Sequence, residues 1–109
     1  MKQAEVYFQD QLAGILTEDE NGYTFVYTAK YVEEGGTPIS LTMPVSSLPY
    51  KSENIFSFFD GLIPEGWLLD IAQTNWKVNP RDRMGLLLAC CKDCIGAVSI
   101  VEIPENQND

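Results

Sequence analysis

Apolar and polar residues alternate through the first third of the chain. Residues 5–8 and 12–17 are short runs rich in strand formers, and Gln9, Asp10 and Gln11 between them suit a hairpin turn. After Glu20, Asn21 and Gly22, the residues Tyr23, Phe25 and Tyr27 alternate with Thr24, Val26 and Thr28, which is the period of a sheet. These three runs predict an antiparallel meander. Ile39, Leu41 and Met43 then alternate with Ser40 and Thr42 between a Gly35-Gly36 turn and Pro44, predicting a fourth strand over 38–43.

Past Pro44 the period lengthens. Ile55, Phe58, Phe59 and Leu62 fall at i, i+3, i+4 and i+7, so a short amphipathic helix is expected, capped by Ser52 or Asn54 and stopped by Pro64. A second helix, from Glu65 or Gly66 to Trp76, carries Leu68, Ile71, Ala72 and Trp76 on one face. Asn79-Pro80 signals the start of a third, because Asn caps and Pro at the first helical position gives up only a donor that would be unpaired anyway. Met84, Leu87, Leu88 and Cys91 form its apolar stripe, residues 96–103 form a closing strand, and the end of the chain is polar. The predicted fold class is α+β, in a single small domain. A curled, mainly antiparallel sheet of about five strands, a meander plus a closing strand, has three short helices between its fourth and last strands. The domain is expected over 1–103, with 104–109 as a polar tail.

Composition narrows the function more than the fold. The 109 residues are 45% hydrophobic, with no apolar run near the ~20 residues of a membrane span. Glu5 and Asp10 break the apolar residues of the N-terminal stretch, so it does not read as a secretory signal. Cys90, Cys91 and Cys94 are an odd, crowded set that suits reduced thiols, and the cytoplasm is the expected location. Sixteen acids against seven bases give a net charge of -9, which opposes direct binding to a phosphate backbone. The acids serve solubility or meet a basic protein partner.

The candidate chemistry is sparse. Histidine is absent, which removes the commonest general base near neutral pH and the commonest metal ligand. The three cysteines lack a histidine or second cysteine pair to complete a zinc set. Asp60-Gly61 follows two phenylalanines, but the order is not that of the magnesium-binding Asp-Phe-Gly of kinases, and the companion motifs are missing. Gly35-Gly36-Thr37-Pro38 lacks the spacing and the lysine of a phosphate loop. No catalytic residue, cofactor or metal is expected. Pro64-Glu65-Gly66 reads plainly as a stop followed by a tight turn. Trp67 beside it is either core or a partner contact, since tryptophan is enriched at interface hot spots.

Several stretches, taken in order, resemble one family. VYFQDQLAGIL (6–16), YTFVYTAKYV (23–32), PISLTMP (38–44), FSFFDGLIPEG (56–66) and GLLLACCKDCIGAVSI (85–100) resemble the N-terminal domain of HipA-type serine/threonine kinases. The resemblance covers nearly the whole chain. Asp10-Gln11 stands where that family has an Asn-Gly turn, Asp60-Gly61 stands in place of Glu-Asn-Leu, and Cys91-Lys92-Asp93-Cys94 replaces a glycine-rich approach to the last strand.

In that family a kinase core follows this domain, and here the chain stops after PENQND. The resemblance therefore implies the split form of the system, in which a standalone HipS-like antitoxin binds and inhibits a HipT-like serine/threonine kinase toxin. A HipB-like DNA-binding protein would complete a ternary complex, with no direct nucleic-acid or membrane contact by this chain. The partner-binding residues expected are Ile63, Pro64, Glu65, Gly66, Trp67 and Leu68. Other readings are a non-inhibitory assembly subunit bridging kinase and repressor, an acidic mimic of nucleic acid, and an unrecognised enzyme.

Overall fold

The computed structural model describes residues 2–63, 83–90 and 97–104, the side chains of 89 and 90 excepted. β1 (Lys2–Phe8), β2 (Gln11–Asp19) and β3 (Gly22–Tyr27) form the expected meander. Gln9 and Asp10, with φ of 51° and 67°, make the β1–β2 connection in the left-handed region that a two-residue hairpin demands. Neither is the usual asparagine or glycine, so the strands on either side impose the turn. At the β2–β3 turn Gly22 has φ 128°, and the Asn21 amide donates to Asp19 Oδ1 at 2.8 Å.

A short helix, α1 (Ala29–Glu33), follows β3 and was absent from the sequence-based expectation. Five residues are too few to show a helical period, but the end signals are in the sequence. Thr28 caps the N-terminus by accepting from the Tyr31 amide at 3.2 Å. Gly35, at φ 67°, lets the Gly35 and Gly36 amides turn back to the carbonyls of Val32 and Tyr31, the paired bonds of a Schellman ending.

The fourth strand lies elsewhere than predicted. β4 is Tyr50–Ser52, paired antiparallel to β3 with Phe25 opposite Tyr50. Residues 38–43 form a loop in which the Met43 amide returns to the Ser40 carbonyl at 3.1 Å across a tight turn. The alternation of Ile39, Leu41 and Met43 was misleading because only Ile39 and Met43 are buried, while Leu41 points away from the protein. Pro38 and Pro44, which cannot donate to a ladder, bound the stretch.

α2 (Ser57–Asp60) occupies part of the predicted first helix, its N-cap being Phe56 rather than Ser52 or Asn54. The predicted helix over 65–76 lies outside the described residues. α3 (Arg83–Cys90) falls on the predicted third helix, and β5 (Val98–Ile103) closes the sheet against β1. The result is a small single domain with a five-stranded antiparallel sheet in the order β4-β3-β2-β1-β5, not closed into a barrel, and three short helices among the described residues.

One face of the sheet makes the core. Ala4, Val6, Leu16, Phe25 and Ile100 are sealed by Phe59 of α2 and by Met84, Leu86 and Leu87 of α3. The Phe25 and Phe59 rings sit 5.6 Å apart. Gly14 allows this packing, since a Cβ there would lie 2.5 Å from both Phe25 Cζ and the Val26 carbonyl oxygen.

Candidate partner-binding surface

Among the residues singled out as partner contacts, Ile63 is only 9% exposed and belongs to the core cluster. Its side chain offers little free surface. Pro64, Glu65, Gly66, Trp67 and Leu68 lie outside the described residues. The positions flanking that stretch are joined, because the Arg83 guanidinium of α3 donates to Asp60 Oδ1 of α2 through Nε at 2.8 Å and Nη2 at 2.5 Å. Both side chains are more than a third exposed, so water screens the pair and its stabilisation is within about 1 kcal/mol. A partnership between residues 23 positions apart on different helices leaves no local signal in the sequence.

The described surface holds one built feature that the sequence reading missed. The Tyr27 hydroxyl, buried among core residues, donates to the Met43 carbonyl and accepts from the Ile39 amide at 3.1 Å. The Tyr31 hydroxyl donates to the Thr37 carbonyl at 2.5 Å, and the Tyr50 hydroxyl to the Pro44 carbonyl at 2.6 Å. Tyr27 and Tyr31 lie face to face, their centroids 5.8 Å apart and their planes within 6°. Burial pushes the ionisation of both phenols above the ordinary tyrosine value. They remain neutral donors near physiological pH.

Three tyrosines thus hold the loop over 37–44 at four points, with Ile39 and Met43 tucked inward. Leu41 at the turn is fully exposed, and Leu48 further along is 71% exposed. The alternation of Tyr23, Phe25 and Tyr27 marks a buried face in the sequence. That buried hydroxyls would need partners is the signal from which the pinned loop could have been suspected.

On another side the β2–β3 turn forms an open groove of about 660 Å³, lined by Glu18, Asp19, Glu20, Glu53, Tyr23 and Arg83 among others. The Tyr23 hydroxyl donates to Glu18 Oε2 at 2.8 Å. Among the described residues no group of histidine, cysteine and carboxylate side chains could hold a metal ion, and no helix is long and apolar enough to cross a membrane. The Cys91 and Cys94 positions lie outside them.

The fold and its surface define a small open-sheet α+β domain whose built features are a pinned apolar loop and an acidic turn. The HipA N-terminal domain family matches residues 4–101. An uncharacterised protein of Haemophilus influenzae is 31% identical over 102 residues, which are 94% of this chain and 93% of that protein. A solved structure of the N-terminal domain of HipA toxin is similar with a TM-score of 0.77 at 26% identity, covering 97% of this chain and 96% of its own. A chain in the Shewanella oneidensis complex of HipA, HipB and operator DNA is 27% identical with a TM-score of 0.70, and this chain covers a quarter of it. The chain belongs to the HipA N-terminal domain family.

Proposed function

We propose that this chain is an antitoxin that binds a HipT-like serine/threonine kinase toxin and inhibits it by protein contact, without enzymatic activity of its own. The observation that carries the reading is similarity to the N-terminal domain of a toxin over nearly the full length of both chains. A chain resembling one domain of a kinase toxin is shaped to take that domain's place against a separately made kinase. The toxin-antitoxin context is supported by the related HipA chain found with HipB and operator DNA. A HipB-like protein in a ternary complex, and a cytoplasmic location, belong to the same reading. So does a domain spanning 1–103 followed by a polar tail.

Inhibition of this kind needs only a rigid surface and enough apolar anchors to outweigh the ordering costs of association. Residues 64–68 are proposed as contacts, with Trp67 as the anchor, beside Ile63, whose side chain is in the core. The net charge of -9 would speed encounter with a basic cleft and would do so most at low salt.

The test is phosphotransfer by a HipT-like kinase from the same genome, with and without the purified chain, together with co-elution of the pair. Loss of kinase activity in a stable complex is expected, and separate elution would refute the proposal. Trp67→Ala should weaken binding by about 2 kcal/mol or more with the melting temperature little changed. An unfolded variant would instead place the indole in the core. The HipA, HipB and operator DNA complex also favours a second reading, a non-inhibitory subunit bridging kinase and repressor. Unchanged kinase activity within a stable complex would select it.

A further inference from the structure

The residues on either side of 64–82 are fixed and tied to each other. On the near side α2 runs out through successive backbone turns. The Gly61 amide donates to the Ser57 carbonyl at 2.9 Å, Leu62 to Phe59 at 3.0 Å and Ile63 to Asp60 at 3.2 Å. Ile63 is core, and the next residue in the sequence is a proline, whose ring restricts the backbone. On the far side Arg83 stands at the start of α3 and is followed by Met84, which is fully buried. Asp60 joins the two sides: its carbonyl holds the Ile63 amide and its carboxylate holds the Arg83 guanidinium. Arg83 has other carboxylates to choose from. It lines the β2–β3 groove with Glu18, Asp19, Glu20 and Glu53, yet both of its donating nitrogens meet Asp60 Oδ1. A pair this exposed adds little to the stability of the fold, so its consequence is direction: it ties the start of α3 to the end of α2.

We propose that Asp60 and Arg83 are positioning residues for kinase binding, setting the direction in which the contact residues 64–68 leave the domain; this rests on the function proposed above. The line of transmission is short. Arg83 fixes Asp60, Asp60 fixes Ile63 through its carbonyl, and the proposed contacts begin at the following residue. A contact stretch whose point of departure is held before the partner arrives has less freedom to lose on association. Neutralising Asp60 would release Arg83 to the carboxylates of the groove, and the exit from α2 would no longer be tied by a charge to α3.

The experiment is calorimetric titration of a HipT-like kinase from the same genome with the wild-type chain, Asp60→Asn, Arg83→Gln, the two combined, and Asp60→Glu. Asp60→Asn and Arg83→Gln should each bind roughly 5-fold or more weakly, and the combination no more weakly than either alone, because each breaks the same pair. The two variants move the net charge of -9 in opposite directions, so a loss common to both is not a long-range charge effect. Asp60→Glu keeps the carboxylate and should bind within about 2-fold of wild type. All should melt within about 5 °C of wild type, since the pair is exposed. In a Trp67→Ala background the loss caused by Asp60→Asn should shrink to within about 2-fold, because the anchor being positioned is gone. Wild-type affinity in Asp60→Asn and Arg83→Gln would overturn the positioning role and leave the inhibitor reading standing. An undiminished loss in Trp67→Ala would mean that the pair touches the kinase itself, and would overturn that role too. No binding by the wild type would overturn both readings.

Discussion

Replacing Tyr27 by phenylalanine deletes one oxygen atom and leaves the packing surface in place. The ring keeps its stack on Tyr31 and its edge contact with Phe25, whose centroid is 4.9 Å away. Two backbone groups lose their partner at once, the Met43 carbonyl and the Ile39 amide. Both belong to residues at most 5% exposed. Each buried group left unsatisfied costs about 1–3 kcal/mol, so the sum has an upper bound near 6 kcal/mol. The loop lies at the surface and can shift to admit water, which places the expected loss at about 2–3 kcal/mol. Urea unfolding followed by far-UV circular dichroism would read this as a lower midpoint with an unchanged slope, because the fold and its buried area are retained. Tyr50→Phe is the control. It removes one hydrogen bond at an exposed site and should cost under about 1 kcal/mol. If Tyr27→Phe unfolds within about 0.5 kcal/mol of the wild type, the hydroxyl does not hold the loop and the account of its rigidity fails.

Gly14→Ala should destabilise the domain by about 1–3 kcal/mol, since the new methyl collides with Phe25 and with β3 backbone that cannot retreat; a wild-type midpoint in thermal unfolding would contradict this. The raised pKa values of Tyr27 and Tyr31 imply alkaline instability. Below the unfolded value of about 10 both states keep the phenolic protons and the contribution is complete. Above it the unfolded chain ionises first, and stability falls by up to about 1.4 kcal/mol per pH unit for each such tyrosine until the pH passes its folded value. Urea midpoints between pH 8 and pH 11 should show this loss, with a shallower slope in Tyr27→Phe; equal slopes would count against it.

What the sequence made legible was the part governed by repeating patterns. The period-two residues of β1 to β3 and the stripe at Met84 and Leu87 each recur often enough to identify an element and its buried side. The failures came from short elements and from partners distant in the chain. Residues 38–43 carry a perfect alternation, but with prolines at 38 and 44 and carbonyls bonded to tyrosine hydroxyls they have no ladder to join. α1 and β4 are five and three residues long, too brief for any period. For the candidate site, composition excluded several chemistries and the Ile63 to Leu68 stretch stood out. Ile63 then proved to be core, because the apolar spacing that marks an anchor also marks a buried face. The pinned loop depends on hydroxyl-to-carbonyl bonds spanning 6 to 16 residues, which no pattern of apolar positions can reveal.

The loop's order descends from the sheet through a chain of local constraints. Thr28 stops β3 and caps α1, which sets Tyr31 one turn above Tyr27 and lets the two rings stack. The left-handed Gly35 then reverses the chain, and Gly36 lies on the Tyr31 ring so closely that a Cβ there would overlap it. From that point the backbone passes within reach of the Tyr31 hydroxyl at Thr37, and of the Tyr27 hydroxyl at Ile39 and Met43. Each step needs a particular residue type: a capping oxygen, two glycines, two phenols. A loop built this way cannot be rearranged by altering its exposed residues, so Leu41 can be varied without cost to the fold. The same construction makes Gly36→Ala more damaging to loop geometry than any change at Leu41, since the added methyl would push Tyr31 off its stack and release Thr37.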